Sequence, residues 1–361
     1  MHEQRKRILK LVEEGKLTAD EALSLIEALE KDEQLKAEKI TALSTEVINN
    51  HDDNTAKQTN DKYSSLGAKL MDWVDTAVKK VKEIDLDLNF GKSIDIKHIF
   101  QFQGSSFHSI DIHLPNGSVN LKPWSEKDIR LECDAKMYRV ENMDQARQNF
   151  LAEVECLVEG NRLIFNTDKK TMKVNLIVYV PEQTYEQVKI KLFNGPIRGE
   201  ALQVGTLKAK TANGVVTFSD INGKNGEFET ANGQIKLSRS NYEKVEAETI
   251  TGFIQFNGSA DKIDAQSFNG NVLLTLVDTA CEALYAKTTT GNIEINIPDE
   301  TKLIGEFKSH LGSLSAQLKD VDIILEKNET IQKELKFRTS PETKLSLFAD
   351  SKTGSISIKN T

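Results

Sequence analysis

Apolar and polar residues alternate along most of this chain, and the alternation changes phase at regularly spaced glycines. Aligned on Gly195, Gly214, Gly233, Gly252, Gly270, Gly291, Gly312 and Gly354, each copy carries an aliphatic residue two places on: Ile197, Val216, Ile235, Ile254, Val272, Ile293, Leu314 and Ile356. Three places before the glycine, after Leu192 in the first copy, stand Thr211, Thr230, Thr249, Ser267, Thr288, Ser309 and Ser351. Five places before it stand Ile190, Ala209, Phe228, Ala247, Ala265, Ala286, Phe307 and Ala349. Side chains on a strand switch face at every residue, so each copy reads as two short strands meeting at a corner. Asn-Gly, as in Asn213-Gly214 and Asn232-Gly233, suits a corner because both residues tolerate φ > 0. Successive glycines are 19, 19, 19, 18, 21, 21 and 42 residues apart, the last being twice 21. A period near 20 is the mark of a repeat architecture.

Two architectures fit one copy. Asn-Gly between alternating strands is a strong hairpin signal and would build an antiparallel meander. Alternatively, each copy is one coil of a mainly β, single-chain β-solenoid, stacked in register on the next. The solenoid is preferred, because in-register stacking places the same residue type at the same point in successive coils. A long meander also needs a cover for its apolar face, and the repeat region holds no amphipathic helix. The solenoid is expected over 86–361, with irregular coils at 86–187 and regular repeats at 188–361. Thr211, Thr230, Thr249 and Thr288 should stack one per coil, beside a parallel ladder of Val216, Ile235, Ile254 and Ile293. Pro115-Asn116-Gly117 looks like an isolated copy, about four coils ahead of Gly195. A short helix is expected from Asp144 to Val154, then strands at Arg162–Asn166 and Lys173–Val180, the second ended by Pro181.

Helical periodicity governs the beginning of the chain. Residues 1–31 read as a helical hairpin, with Ile8, Leu9, Leu11 and Val12 on one helix and Gly15 ending it. Thr18 and Glu21 form a capping-box pattern ahead of Ala22, Leu23, Leu25, Ile26 and Leu29. Two such short helices bury little alone, so this module is expected to bind a protein partner or self-associate. Residues 32–65 are polar and without period, and read as a flexible linker. Leu66, Leu70, Trp73, Val74, Ala77, Val78 and Val81 give 66–85 the pattern of an amphipathic helix. It is expected to cap the solenoid, and its 66–82 stretch is also a candidate for peripheral membrane contact.

Composition narrows the function classes. Hydrophobic residues make up 38% of the 361 and charged ones 28%, which suits a thin, surface-rich fold with a core. A net charge of −8 argues against nucleic-acid binding and favours a cationic partner, such as a cationic peptide or an envelope component. Cys133, Cys156 and Cys281 lack metal-ligand spacing and read as buried small side chains. The first residues lack a signal-peptide pattern, and no apolar run is long enough to cross a membrane. A soluble protein made in the cytoplasm is expected, with peripheral or cell-surface association as a further possibility.

The corners, together with the strand end Val178-Tyr179-Val180-Pro181, resemble the bacterial "putative adhesin" β-solenoid domains of unknown function. The order of parts is similar to the YvlB/LiaX type of Gram-positive bacteria. That order is a short helical module (Ile8 to Ala22), a linker, then the solenoid, with Asn89-Phe90-Gly91 and His98-Ile99-Phe100 near its start. The resemblance implies a part in the cell-envelope stress response to membrane-active antimicrobials. It implies no enzyme activity and no catalytic residues.

The residues themselves point the same way, and no catalytic, cofactor-binding or metal-ligating residue is singled out. Gly91-Lys92-Ser93 resembles the end of a phosphate-binding loop, but Leu86 stands where the loop needs glycine. His98, His108 and His113 read as exposed or packed strand residues rather than a metal site. Solenoids can carry glycan-cleaving carboxylates, and Asp220, Glu227, Glu229, Glu246 and Glu248 fall on neighbouring coils. They read first as solvated strand positions. A carbohydrate-active or adhesive solenoid acting on a cell-wall glycan is the alternative function.

Overall fold

The computed structural model describes residues 93–104 and 107–361. The expected hairpin 1–31, linker 32–65, helix 66–85 and residues 86–92 lie outside the described residues. The N-terminal part holds β1 (Ser93–Phe102), β2 (Ser109–Trp124), β3 (Ile129–Tyr138), the helix α1 (Met143–Glu153), β4 (Glu155–Glu159), β5 (Arg162–Asn166) and β6 (Met172–Pro181). The repeat region follows as β7 (Thr184–Asn194), β8 (Ile197–Glu200), β9 (Gln203–Asn213), β10 (Val216–Ser219), β11 (Asn222–Asn232), β12 (Ile235–Thr251), β13 (Ile254–Asn269), β14 (Val272–Leu276), β15 (Ala283–Thr290) and β16 (Ile293–Ile297). The chain ends with β17 (Leu303–Ser309), β18 (Leu314–Gln317), β19 (Asp322–Asn328), β20 (Lys333–Arg338), β21 (Leu345–Ser351) and β22 (Ile356–Asn360).

The described residues are mainly β, and the repeats pair in parallel. Thr211 lies beside Thr230, Thr230 beside Thr249, Thr249 beside Ser267 and Ser267 beside Thr288. Val216, Ile235, Ile254, Val272 and Ile293 form the second ladder in the same way. The strand after Gly233 therefore pairs with the strand after Gly252, which excludes the antiparallel meander. Each repeat is one rung, named here by its corner glycine. Positions −5, −3 and +2 from the glycine face inward, and Ala209, Phe228, Ala247, Thr230, Ile235 and Ile254 are all buried.

From the Gly195 rung inward, the corners are held by hydroxyls. Thr230 Oγ1 donates to the Gly214 carbonyl at 3.0 Å, and Thr249 Oγ1 to the Gly233 carbonyl at 3.1 Å. Thr211, Ser267 and Thr288 make the same bond to Gly195, Gly252 and Gly270. This explains the Thr/Ser preference at −3. The glycine has a different reason from the expected one. Its φ lies in the left-handed region at Gly117, Gly195 and Gly291 but not at Gly214, Gly233 or Gly252. What every corner lacks is room: a Cβ on Gly233 would sit 1.8 Å from the Gly214 carbonyl oxygen, and one on Gly252 1.7 Å from that of Gly233.

The rungs are not stacked in chain order at either end. At the N-terminal end, β2 lies between β5/β6 and β7/β8: Ile110 pairs with both Leu163 and Val188, and Val119 with both Leu176 and Ile197. The Gly117 rung thus touches the Gly195 rung directly, correcting the expected separation of about four coils. At the C-terminal end, β21 lies between β15 and β17, and β22 between β16 and β18. The Gly354 rung is therefore inside the Gly312 rung. The hydroxyls record this order, since Ser351 donates to Gly291 and Ser309 to Gly354, both at 3.0 Å. The 42-residue gap holds no hidden coil. It holds the β19–β20 hairpin, with β20 antiparallel on β17 and β19 on β20.

Antiparallel strands also close the other end. β3 pairs with β6, β1 with β3 and β4 with β5. Helix α1, expected one residue later in the chain, starts from Asn142, whose side chain accepts from the Gln145 N–H at 2.9 Å. It buries Ala146 and Phe150, and the Phe150 ring lies 6.4 Å from Phe100 and 5.8 Å from His98.

Candidate functional site

The outward face of the strands that precede the corners holds the densest chemistry. Positions −6 and −4 from each glycine point away from the core, and parallel register aligns them across rungs. At −6 run Lys208, Glu227, Glu246 and Asp264, each beside the next. At −4 run Lys210, Glu229, Glu248 and Gln266. Further along, Tyr285 continues the −6 row and Phe348 follows it on the inserted rung. The face is thus sorted into bands: lysine, then carboxylate, then aromatic.

The lysine–carboxylate border is fully engaged. Lys208 Nζ lies 2.5 Å from Glu227, and Lys210 Nζ lies 2.6 Å from Glu227 and 2.5 Å from Glu229. Burial alone would raise the Glu227 pKa. The hydrogen bonds from Lys208 and Lys210 outweigh it and bring the pKa down to about 2. Burial dominates at Glu229, whose pKa rises.

One rung on, the carboxylates outnumber the cations. Glu246 pairs with Lys244, and Asp264 accepts from Gln266 Nε2 at 2.8 Å. Glu248 is only 6% exposed and makes no hydrogen bond or ion pair to the described residues. Burial, and then the nearby Glu229, Asp264 and Glu246, raise its pKa to about 7. Burial likewise raises Asp264. The aromatic band follows: Tyr285 and Phe348 stack with centroids 5.4 Å apart and planes 8° from parallel. Lys308 Nζ lies 5.5 Å from the Phe348 centroid, in cation–π range.

Of the five acids considered from sequence, the structure brings Glu227, Glu229, Glu246 and Glu248 together. Asp220 stands apart at an exposed corner, held by Arg239 in a bidentate pair at 2.7 and 2.8 Å. Asp264, Gln266, Tyr285 and Phe348 were missed. Counting offsets outward from the glycine, as was done inward, would have found them. The histidines are not brought together: His108 bonds Asn161 at 2.8 Å, His113 lies 3.3 Å from Asp168, and His98 packs on Phe100. Burial lowers the pKa of both His98 and His113. Among the described residues no group of three or more His, Cys, Asp or Glu could hold a metal ion. Burial raises the Cys133 and Cys281 thiols to about 12, and the Cys156 thiol still further, which disfavours the nucleophilic thiolate.

The banded face is open. The two best-formed concavities found among the described residues hold about 110 and 160 Å³, both lie toward the C-terminal end, and neither includes these acids. A row of charges sorted in this way can bind an extended or cationic ligand. Among the described residues no helix is long and apolar enough to cross a membrane.

A family model described as Toastrack DUF4097 matches residues 137–359, and one described as a SHOCT-like domain matches residues 3–34. The chain is 51% identical over 361 residues to the Bacillus subtilis (strain 168) protein named "Uncharacterized protein YvlB", covering 99% of each. A "putative adhesin" of Bacteroides fragilis is 11% identical, over 73% of this chain and 97% of that one, with a TM-score of 0.36. Another from Parabacteroides merdae is 13% identical, over 74% and 96%, with a TM-score of 0.35.

Proposed function

This chain belongs to the Toastrack DUF4097 family, and from that premise we propose that it is a non-enzymatic binding scaffold of the bacterial cell-envelope stress response. In this reading the stacked rungs wind as a β-solenoid and present the banded face to a cationic peptide or envelope component. Residues 1–31 are the interaction module, tethered by 32–65, and 66–82 supplies peripheral membrane contact. The protein is made in the cytoplasm and acts at the envelope from there. The observation that carries the binding part is the open face, with Glu248 unpaired amid Glu229, Glu246 and Asp264. The stress-response part rests on the layout of the whole chain.

Deleting residues 1–31 in a native host and reading an envelope-stress reporter tests the module. Reporter output and antimicrobial sensitivity should both change, and unchanged values of both would sink the reading. The stacked Tyr285–Phe348 pair beside Asp264 supports a second reading, adhesion to or cleavage of a cell-wall glycan, since sugar rings stack on aromatic faces. A glycan array and a reducing-end assay that both stay blank with the full chain would remove it.

A further inference from the structure

The outermost strand at the C-terminal end is β19. One of its edges pairs with β20, and its other edge pairs with no strand among the described residues. It also exposes apolar side chains, Ile323 at 44% and Ile324 at 49%. An apolar edge with free backbone N–H and C=O groups is a template for another strand.

The charge pattern of β19 specifies which strand. A register irregularity between Ile323 and Leu325 makes Ile324 an extra residue. Asp322 and Lys327 are five apart and would otherwise face opposite ways. With the extra residue both face the same side: Asp322 pairs with Arg338 at 2.8 Å, and Lys327 lies 4.0 Å from Glu334. Now set a second β19 antiparallel, with a two-fold axis midway between the two strands and level with the Ile324–Leu325 bond. Asp322 then faces Lys327 of the second copy, Ile323 faces its Glu326, and Ile324 faces its Leu325. Reading across the join, Arg338, Asp322, and then Lys327 and Glu334 of the second copy alternate in sign. Both halves of the contact are satisfied by one sequence, as an isologous interface requires.

We propose that β19 is a dimerisation edge, joining two copies of this chain through antiparallel β19–β19 pairing. The test uses the full chain in sedimentation velocity over a range of concentrations. The unaltered protein should reach a dimer and stop there. Ile324→Lys places a charge on the edge without removing an internal ion pair, and should weaken association at least about tenfold. Its circular dichroism should be unchanged, which separates lost association from lost folding. Ile324→Cys should form a disulfide-linked dimer under mild oxidation, because the two-fold axis brings position 324 of both copies together. A protein that stays monomeric, a dimer indifferent to Ile324→Lys, or growth beyond the dimer by head-to-tail stacking would each overturn the proposal.

Discussion

At the scale of the residue, the corner depends on two atoms that are easy to change. No backbone N–H among the described residues donates to the Gly233 carbonyl, so the Thr249 hydroxyl is its hydrogen-bond donor. Thr249→Val keeps the shape and leaves that carbonyl unpaired, which should cost about 1–3 kcal/mol in urea unfolding. Gly233→Ala should do worse, at or above the upper end of the roughly 1–3 kcal/mol typical of overpacking, because the new methyl meets a backbone oxygen at 1.8 Å. Ile254→Ala empties a fully buried position and should cost about 2–5 kcal/mol. Gln255→Ala, one residue on and facing outward, should stay within about 0.5 kcal/mol. Glu248 makes a prediction in pH. Its pKa rises from 4.5 to about 7 in the folded chain, so between those values the folded state holds a proton that the unfolded state has released. Its contribution is complete below the lower value and is lost as pH rises through the upper one. Glu248→Gln should therefore match the parent near about pH 4 and be the more stable protein near about pH 8. Equal stabilities at both would show that the carboxyl is not strained.

At the scale of the element, the inward positions and the ladders of the central rungs were legible in the sequence, and the stacking order at the two ends was not. Offsets of −5, −3 and +2 marked the core from Ile190 to Ile356, with only Leu314 of the outer Gly312 rung half-buried, because the rungs meet the same geometry. That same uniformity hides the order of stacking. Ser351 and Ser309 look alike whichever glycine carbonyl they reach, so nothing local reports that Gly354 lies inside Gly312. The 42-residue gap misled for a similar reason, since it is twice the 21-residue spacing that precedes it. The charged face was half legible: offsets of −6 and −4 place the lysines, acids and aromatics on one face, but that Phe348 stacks on Tyr285 needed the stacking order. An inserted terminal strand also behaves unlike an ordinary terminus. Ile356 and Ile358 are fully buried, each worth about 1.5–3 kcal/mol of transfer free energy. Ending the chain after Gly354 should therefore lower stability by about 3–6 kcal/mol and open 299–344 to proteolysis. Simple fraying, with the rest of the unfolding curve unmoved, would contradict the insertion.

At the scale of the described unit, the stack is quasi-one-dimensional, and such stacks normally loosen from their ends. Here each end is tied to a distant part of the chain. β2 holds β5/β6 to β7/β8, and β21/β22 holds β15/β16 to β17/β18. Hydrogen exchange should therefore show protection that stays level from the Gly195 rung through the Gly354 rung. Protection falling steadily toward residue 361 would mean that the inserted rung opens independently.

The buried position of the Gly354 rung also bears on how the protein is made. Chain leaves the ribosome from its N-terminus, so β15/β16 and β17/β18 emerge before the strands that belong between them. From Ile297 to Ile356 is 59 residues, about 3–12 s of synthesis at roughly 5–20 residues per second. In the course of that interval β17 and β18 emerge as well, while β21 and β22, the strands that belong between them and β15/β16, are still being translated. The C-terminal third cannot settle rung by rung as it appears. It closes only when the later-made β21 and β22 become interior strands.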